Sequence, residues 1–225
     1  MQDSRVDSKI GFCAWVIVLA LLAGCATTPQ GASDEEDIRY WPPLPEQPRY
    51  LYEATLRGSR DIEQANQDAL MAALIKGETL PDRRMGKPLA LAVRAGRIYV
   101  TDSVMNLVHV FDLGRRRYFQ MGVRFEGRLA DPRGIWVGEQ SRNVYVVDQG
   151  SKRVVVYDEL GLYLRELSLA DTVRPVDVAV DESRQRIYVL DGGGIDSDTH
   201  RVQVFSLEGH PIRTFGTRGR EVGQF

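Results

Sequence analysis

The chain is poor in the residues that usually carry chemistry. Of its 225 residues, two are cysteine and three are histidine. Both cysteines, Cys13 and Cys25, fall within the first 25 residues, so the body of the protein holds no disulfide framework. His109, His200 and His210 show neither HxxxH nor HxH spacing, which removes support for a His-based zinc site. No Gly-x-Ser-x-Gly elbow is present for Ser-His-Asp catalysis. The run Gly192–Gly194 lacks the spacing and the lysine of a phosphate loop. The formal net charge is -2, so no global field draws the chain to nucleic acid. The long apolar run near the start, Ile10–Ala23, is short of the ~20 residues a bilayer span needs.

What the chain does hold is repetition. Lys87–Phe111, Asp131–Tyr157 and Arg174–Phe205 carry nearly the same text: KPLALAV…RIYVTD…HVF, DPRGIWV…NVYVVD…VVVY and RPVDVAV…RIYVLD…VQVF. Tyr99, Tyr145 and Tyr188 are 46 and 43 residues apart, and Pro88, Pro132 and Pro175 are 44 and 43 apart. A period in the mid-forties made of short apolar strands predicts one β-propeller blade per repeat. In the second repeat the strands read as Gly134–Val137, Asn143–Asp148, Arg153–Asp158 and Leu162–Ser168. The second strand of each repeat is almost wholly apolar, which predicts a sheet covered on both faces, as in stacked blades. The fold class is all-β: about three four-stranded antiparallel blades in an incomplete ring, with one N-terminal helix.

The first 48 residues read as an address and a tether. Arg5 and Lys9 precede the apolar run, which ends in Leu22-Ala23-Gly24-Cys25. This pattern fits a signal-peptide core, and its ending resembles the lipobox of bacterial lipoproteins. That resemblance implies removal of residues 1–24 and lipid attachment at Cys25. With Ala26 in the next position, it further implies an outer-membrane anchor facing the periplasm. Residues 25–48 are acidic and then Pro-rich. Ala26–Asp37 cannot bury a core, and Trp41–Pro45 stiffens toward polyproline II, as a spacer or as a proline-rich docking segment.

Residues 49–86 read as a lead-in strand and helix. Arg49–Arg57 alternates well enough for a strand. Asp61 with Gln64 forms a capping box, Ala69, Leu70, Ala73 and Leu74 make an apolar stripe, and Gly77 stops the helix. Residues 87–225 hold blades one to three and the start of a fourth. Asp102, Asp148 and Asp191 each follow the repeat tyrosine by three residues. There an aspartate can accept backbone N–H groups and start the turn; a metal or catalytic role would require a separate site in every blade.

Up-and-down connectivity places the second-to-third-strand loops and the blade-to-blade connectors on one rim. The third repeat carries five extra residues there: Asp to aromatic is 14 positions, against 9 and 9 in the other repeats. The insert Gly192-Gly193-Gly194-Ile195-Asp196-Ser197-Asp198-Thr199-His200 is the candidate partner-binding loop, since long loops on rigid scaffolds carry function. Asp191, Asp196 and Asp198 offer oxygens to a Ca²⁺ ion without the twelve-residue EF pattern; a flexible solvated turn is the alternative. Arg115-Arg116-Arg117 reads as a solvated hairpin that blunts an outer edge, or as a contact for phosphate or an acidic partner.

Asp131-Pro132-Arg133-Gly134-Ile135, the Ile/Val-Tyr-Val-x-Asp strands, Arg153–Asp158 and the ending Gly216-Thr217-Arg218-Gly219…Gly223-Gln224-Phe225 resemble NHL-repeat six-bladed propellers. With the lipobox, the whole resembles a bacterial NHL-type lipoprotein. Residues 87–225 number 139, three repeats and a stub, whereas a closed propeller takes ~4–8 blades. Two expectations follow. Either the chain is a C-terminally truncated piece whose Arg49–Arg57 strand would close a last blade, or two copies pair as a homodimer that completes a ring. An open wedge leaves two apolar faces wet in either case.

The function expected is that of a membrane-tethered, non-catalytic scaffold binding a protein or glycan partner through its loop rim. It requires no cofactor and no catalytic residue. Two alternatives remain: a metal-dependent hydrolase or lyase similar to gluconolactonases or amidating lyases, or a fragment without function. For the enzyme, the inner strands LALAV, GIWVG and VDVAV supply only Asp177 as an acid.

Overall fold

The computed structural model describes residues 39–43, 45–63, 67–77, 79 and 82–224. The leader, Cys25, the acidic stretch to Asp37 and Gln64 lie outside them, so the anchor and the capping box are not described. The chain divides into two compact units, with the boundary between Ala54 and Thr55.

In the first unit, β1 (Tyr40–Trp41) pairs antiparallel with β2 (Tyr50–Leu51). The expected strand Arg49–Arg57 is thus only two residues long. Its partner ends at Pro42-Pro43, and proline cannot donate to a ladder. The two strands bring the ends of the Pro-rich stretch together.

The second unit holds three four-stranded antiparallel sheets, each in sequence order. The first blade is β3 (Pro88–Arg94), β4 (Arg97–Asp102), β5 (Leu107–Asp112) and β6 (Arg117–Met121). The second is β7 (Pro132–Val137), β8 (Val144–Asp148), β9 (Arg153–Tyr157) and β10 (Tyr163–Ser168). The third is β11 (Pro175–Asp181), β12 (Arg186–Gly192), β13 (His200–Ser206) and β14 (Pro211–Phe215). These are propeller blades in an unclosed ring, and their strand ends fall within about two residues of the repeat-based reading. Residues 216–224 add no strand. They turn back through a single parallel bridge, Thr217 to Gln224, with Gln224 Oε1 accepting the Glu221 N–H at 3.0 Å.

Stacking explains the continuous apolar strands. All five residues of β8 are buried. Its alternation sends Val144 and Val146 against the first blade, with Tyr99, Val108, Val110 and Met121. Tyr145 and Val147 go against Val178, Val180, Ile187 and Val189 of the third. Each such side chain taken fully from water contributes roughly 1.5–3 kcal/mol, and no blade has this burial without a neighbour.

Each blade opens on its proline, which faces the aspartate of the second strand: Pro88 with Asp102, Pro132 with Asp148 and Pro175 with Asp191. The register shifts directly afterwards in all three. Gly134 of the Asp-Pro-Arg-Gly segment has a packing role: a Cβ there would run into the Asp177 backbone and carboxylate. Its absence lets the innermost strands of blades two and three approach closely.

From Thr55 onward the lead-in belongs to this unit and covers the far face of the first blade. Ile62 is buried with Val100, Phe111 and Tyr118, and Leu56, Met85 and Ile98 pack around them. Backbone bonds hold the lead-in together: Met85 N–H donates to Arg57 O at 2.9 Å, and Gly58 bridges Arg84. The Asp61 carboxylate accepts the N–H groups of Arg57 and Gly58, closing a 3-10 turn at Ser59–Asp61. The helix α1 is described over Gln67–Lys76. Of its expected stripe, Leu70 and Leu74 are exposed and Ala73 is half-buried; Met71 and Ile75 are exposed as well.

Candidate functional site

The connector rim is built from one device used three times. Asp102 and Asp148 end β4 and β8, Asp191 is the penultimate residue of β12, and all three are fully buried. Each carboxylate grips two successive backbone N–H groups of the connector entering its own blade. Asp148 Oδ1 accepts from Ala130 at 3.1 Å and Asp131 at 2.9 Å. Asp191 accepts from Val173 at 3.0 Å and Arg174 at 2.9 Å. Asp102 accepts from Gly86 at 2.5 Å and Lys87 at 3.0 Å. Asp102 also starts the following turn, taking the N–H groups of Val104 and Met105 at 3.0 and 2.9 Å. The turn-forming role read from the repeat therefore holds, and the connector grip adds to it.

Asp102 remains ionised. Burial works against its charge, but the N–H groups of Met105, Lys87 and Gly86 and the His109 ring outweigh it and lower its pKa. Arginine completes the device in two blades. Arg153 Nε donates to Asp148 Oδ2 at 3.2 Å, and its guanidinium also reaches Glu166 and the carbonyls of Glu126 and Arg128. Arg201 Nε stands 3.6 Å from Asp191 Oδ2. The sequence reading missed these arginines, although each sits directly opposite its aspartate in the ladder.

The inserted loop joins β12 to β13 on this rim, as expected from connectivity. Gly194 N–H donates to Ser197 Oγ at 2.6 Å, Ser197 N–H returns to Gly194 O at 3.2 Å, and Ser197 Oγ meets Thr199 Oγ1 at 2.9 Å. Gly193 has φ +57, and a Cβ there would crowd Ser197 Oγ and the His200 ring. His200 Nδ1 is buried without a hydrogen-bond partner. This internal bonding pushes Ile195 outward, 88% exposed, with Asp196 and Asp198 also exposed. Gly192 and Gly194 are half-buried and Gly193 is buried.

The three candidate Ca²⁺ aspartates are not brought together. Asp191 is interior and occupied by backbone N–H groups, including Gly193 at 3.1 Å. Among the described residues no group of three or more His, Cys, Asp or Glu is placed to hold a metal.

Two other surface features flank the rim. The inner strands leave a groove of about 230 Å³ lined by Leu91, Val93, Ile135 and Trp136, with Arg94 donating to the Glu139 carbonyl at 2.7 Å. Asp177 is exposed on β11. On the opposite rim, Arg97 staples two blades together. Its Nε donates to Asp112 Oδ2 at 2.8 Å, and its Nη1 pairs with Glu159 of the second blade at 3.2 Å. The Arg97 guanidinium holds the Asp112 carboxyl down at about 2. Arg115–Arg117 form an exposed hairpin, with Arg115 paired to Asp112 at 3.2 Å. Among the described residues no helix is long and apolar enough to cross a membrane.

Among solved structures the chain is similar to one in a nidogen/laminin complex, at 19% identity and TM-score 0.50, covering 59% of this chain and 49% of that one. It is also similar to virginiamycin B lyase from Staphylococcus aureus, at 12% identity and TM-score 0.46, covering 57% and 41%. A catalytically inactive variant of that lyase with quinupristin gives 11% identity and TM-score 0.47, covering 61% and 45%. The chain spans less than half the length of each, and its likeness to the first is one of fold. No curated protein matches. The family model for 6-bladed beta-propellers, DUF5128, matches residues 60–208, most of the chain, and the chain belongs to that family.

Proposed function

We propose that the chain is an NHL-type propeller lipoprotein that binds a protein or glycan partner through its connector rim and performs no catalysis there. The observation that carries this reading is the contrast within the rim. Its repeated carboxylates are buried and engaged with backbone N–H groups and with Arg153, Arg201 or His109, which makes them structural. The one elongated loop between second and third strands of the described blades stands out from them with Ile195, Asp196 and Asp198 in water. A rigid scaffold with one protruding, mixed apolar and acidic loop is suited to recognition.

The lipobox-like Leu22-Ala23-Gly24-Cys25 supports tethering by lipid at Cys25 in the bacterial envelope, facing the periplasm from the outer membrane. Contact with the membrane in this reading is through the lipid alone.

Replacing Ile195–Asp198 by Gly-Ser tests the rim. The expected result is that partners cross-linked to the wild type in intact envelopes are lost while thermal stability is kept. An unchanged partner set, or no reproducible partner for the wild type, overturns the reading. Cys25→Ser tests the anchor: incorporation of labelled palmitate and membrane fractionation should both disappear, and their persistence contradicts it.

A further inference from the structure

The aspartate grips of the three blades differ in their counter-group. Arg153 lies opposite Asp148 and Arg201 opposite Asp191, but Leu107 lies opposite Asp102. The partner of Asp102 is instead His109, two residues along the same face of β5, with Nε2 3.2 Å from Oδ2. The chain of contacts continues toward the outer strand of the blade. His109 Nδ1 is 2.7 Å from Tyr118 Oη, which accepts from Gln120 Nε2 at 2.8 Å. Asp102 and His109 are fully buried and Tyr118 nearly so.

An ionised Asp102 can only accept, so the proton sits on Nε2 and the Tyr118 hydroxyl donates to Nδ1. All groups are satisfied in this direction, and His109 is neutral. The other elements packed here add Arg83, 6.0 Å over the Tyr118 ring, and Glu63, whose Oε1 accepts the Tyr118 N–H at 3.3 Å. Both come from the lead-in that covers this face. A proton added at Nδ1 turns that atom into a donor, reverses the Tyr118 hydroxyl and requires the Gln120 amide to flip. It also places a charge beside the Phe111 and Tyr118 rings, on which Ile62 and Met85 pack, and opening to water relieves it.

We propose that this chain is an acid-sensitive latch: protonation of His109 loosens the lead-in cap and the Gly86–Lys87 connector of the first blade, while the arginine-backed second and third blades hold. Burial pushes His109 below its ordinary value of 6.5, against the opposing pull of the Asp102 carboxylate. The unfolded chain therefore binds this proton more readily than the folded one. The stabilisation is complete above about pH 6.5 and is lost as pH falls from there through the folded pKa, by up to about tenfold in the opening equilibrium per pH unit.

Amide exchange of the wild-type full chain at pH 7.5 and 5.5, corrected for intrinsic rates, reads this blade by blade. The expected result is about tenfold greater loss of protection at Gly86, Lys87 and the Leu56–Glu63 segment than at Ala130, Asp131, Val173 and Arg174. His109→Gln, which can bridge Asp102 and Tyr118 without titrating, should abolish the difference. Equal loss in all three blades, or an undiminished difference in His109→Gln, overturns the proposal. Should the variant not fold, the wild-type comparison decides alone.

Discussion

The outer faces of the first and third blades are built from corresponding strands but have different fates. On the first, Phe111 and Tyr118 are buried because the lead-in lays Ile62, Leu56 and Met85 across them. On the third, Tyr188 corresponds to Tyr99 and Tyr145, which neighbouring blades bury completely, yet it is only half-buried. Leu190 and Phe215 beside it are 37% and 43% exposed. Amino-acid type does not separate the two faces, since both are aliphatic and aromatic. The difference is whether another segment lies on them, as the physics of stacked repeats requires.

Substitutions on the two faces should therefore cost very different amounts. The largest effect expected is for Phe111→Ala, about 3–5 kcal/mol in urea unfolding, against under about 1 kcal/mol for Phe215→Ala on the open face. Equal costs would break the comparison. Ile62→Ala should follow at about 2 kcal/mol and should raise exchange at Leu107–Asp112 without affecting β14. Acid supplies a third test, through the staple between the first two blades. Arg97 holds Asp112 at about 2, below its ordinary 3.8. Its contribution is present above about pH 4 and lost as pH falls toward 2, so Arg97→Gln should flatten the acid limb of the stability profile. The smallest effect belongs to Leu190→Ser, within about 0.5 kcal/mol. Its readout is association: light scattering at high concentration should show less self-association than the wild type.

The same contrast explains what could be read from sequence. Blade strands were legible because their signal is local and repeated: Tyr145-Val146-Val147-Asp148 reads as a strand covered on both faces without knowledge of what covers it. The aspartates were legible as turn formers for the same reason. The arginines behind them were not, because Asp148–Arg153 and Asp191–Arg201 differ in spacing and become equivalent only in the ladder. In the lead-in, long-range contacts were not legible. Asp61 reads as a helix cap, and no local pattern shows that its carboxylate binds the Arg57 and Gly58 N–H groups in a turn that carries Ile62 onto the first blade. His109 is one lone histidine in a strand until Tyr118 and Asp102 are placed beside it. In the candidate loop, spacing located the insert and its rim. It could not show that Asp191 points inward to the connector while Asp196 and Asp198 face water.

The account rests on one covered and one uncovered outer face, and hydroxyl-radical footprinting of the folded chain reads both at once. With Tyr145 as the buried reference, Phe111 and Tyr118 should label as slowly as it does, while Tyr188 and Phe215 label many times faster. Fast labelling of Phe111 and Tyr118, or protection of Tyr188 and Phe215 equal to that of Tyr145, would contradict it.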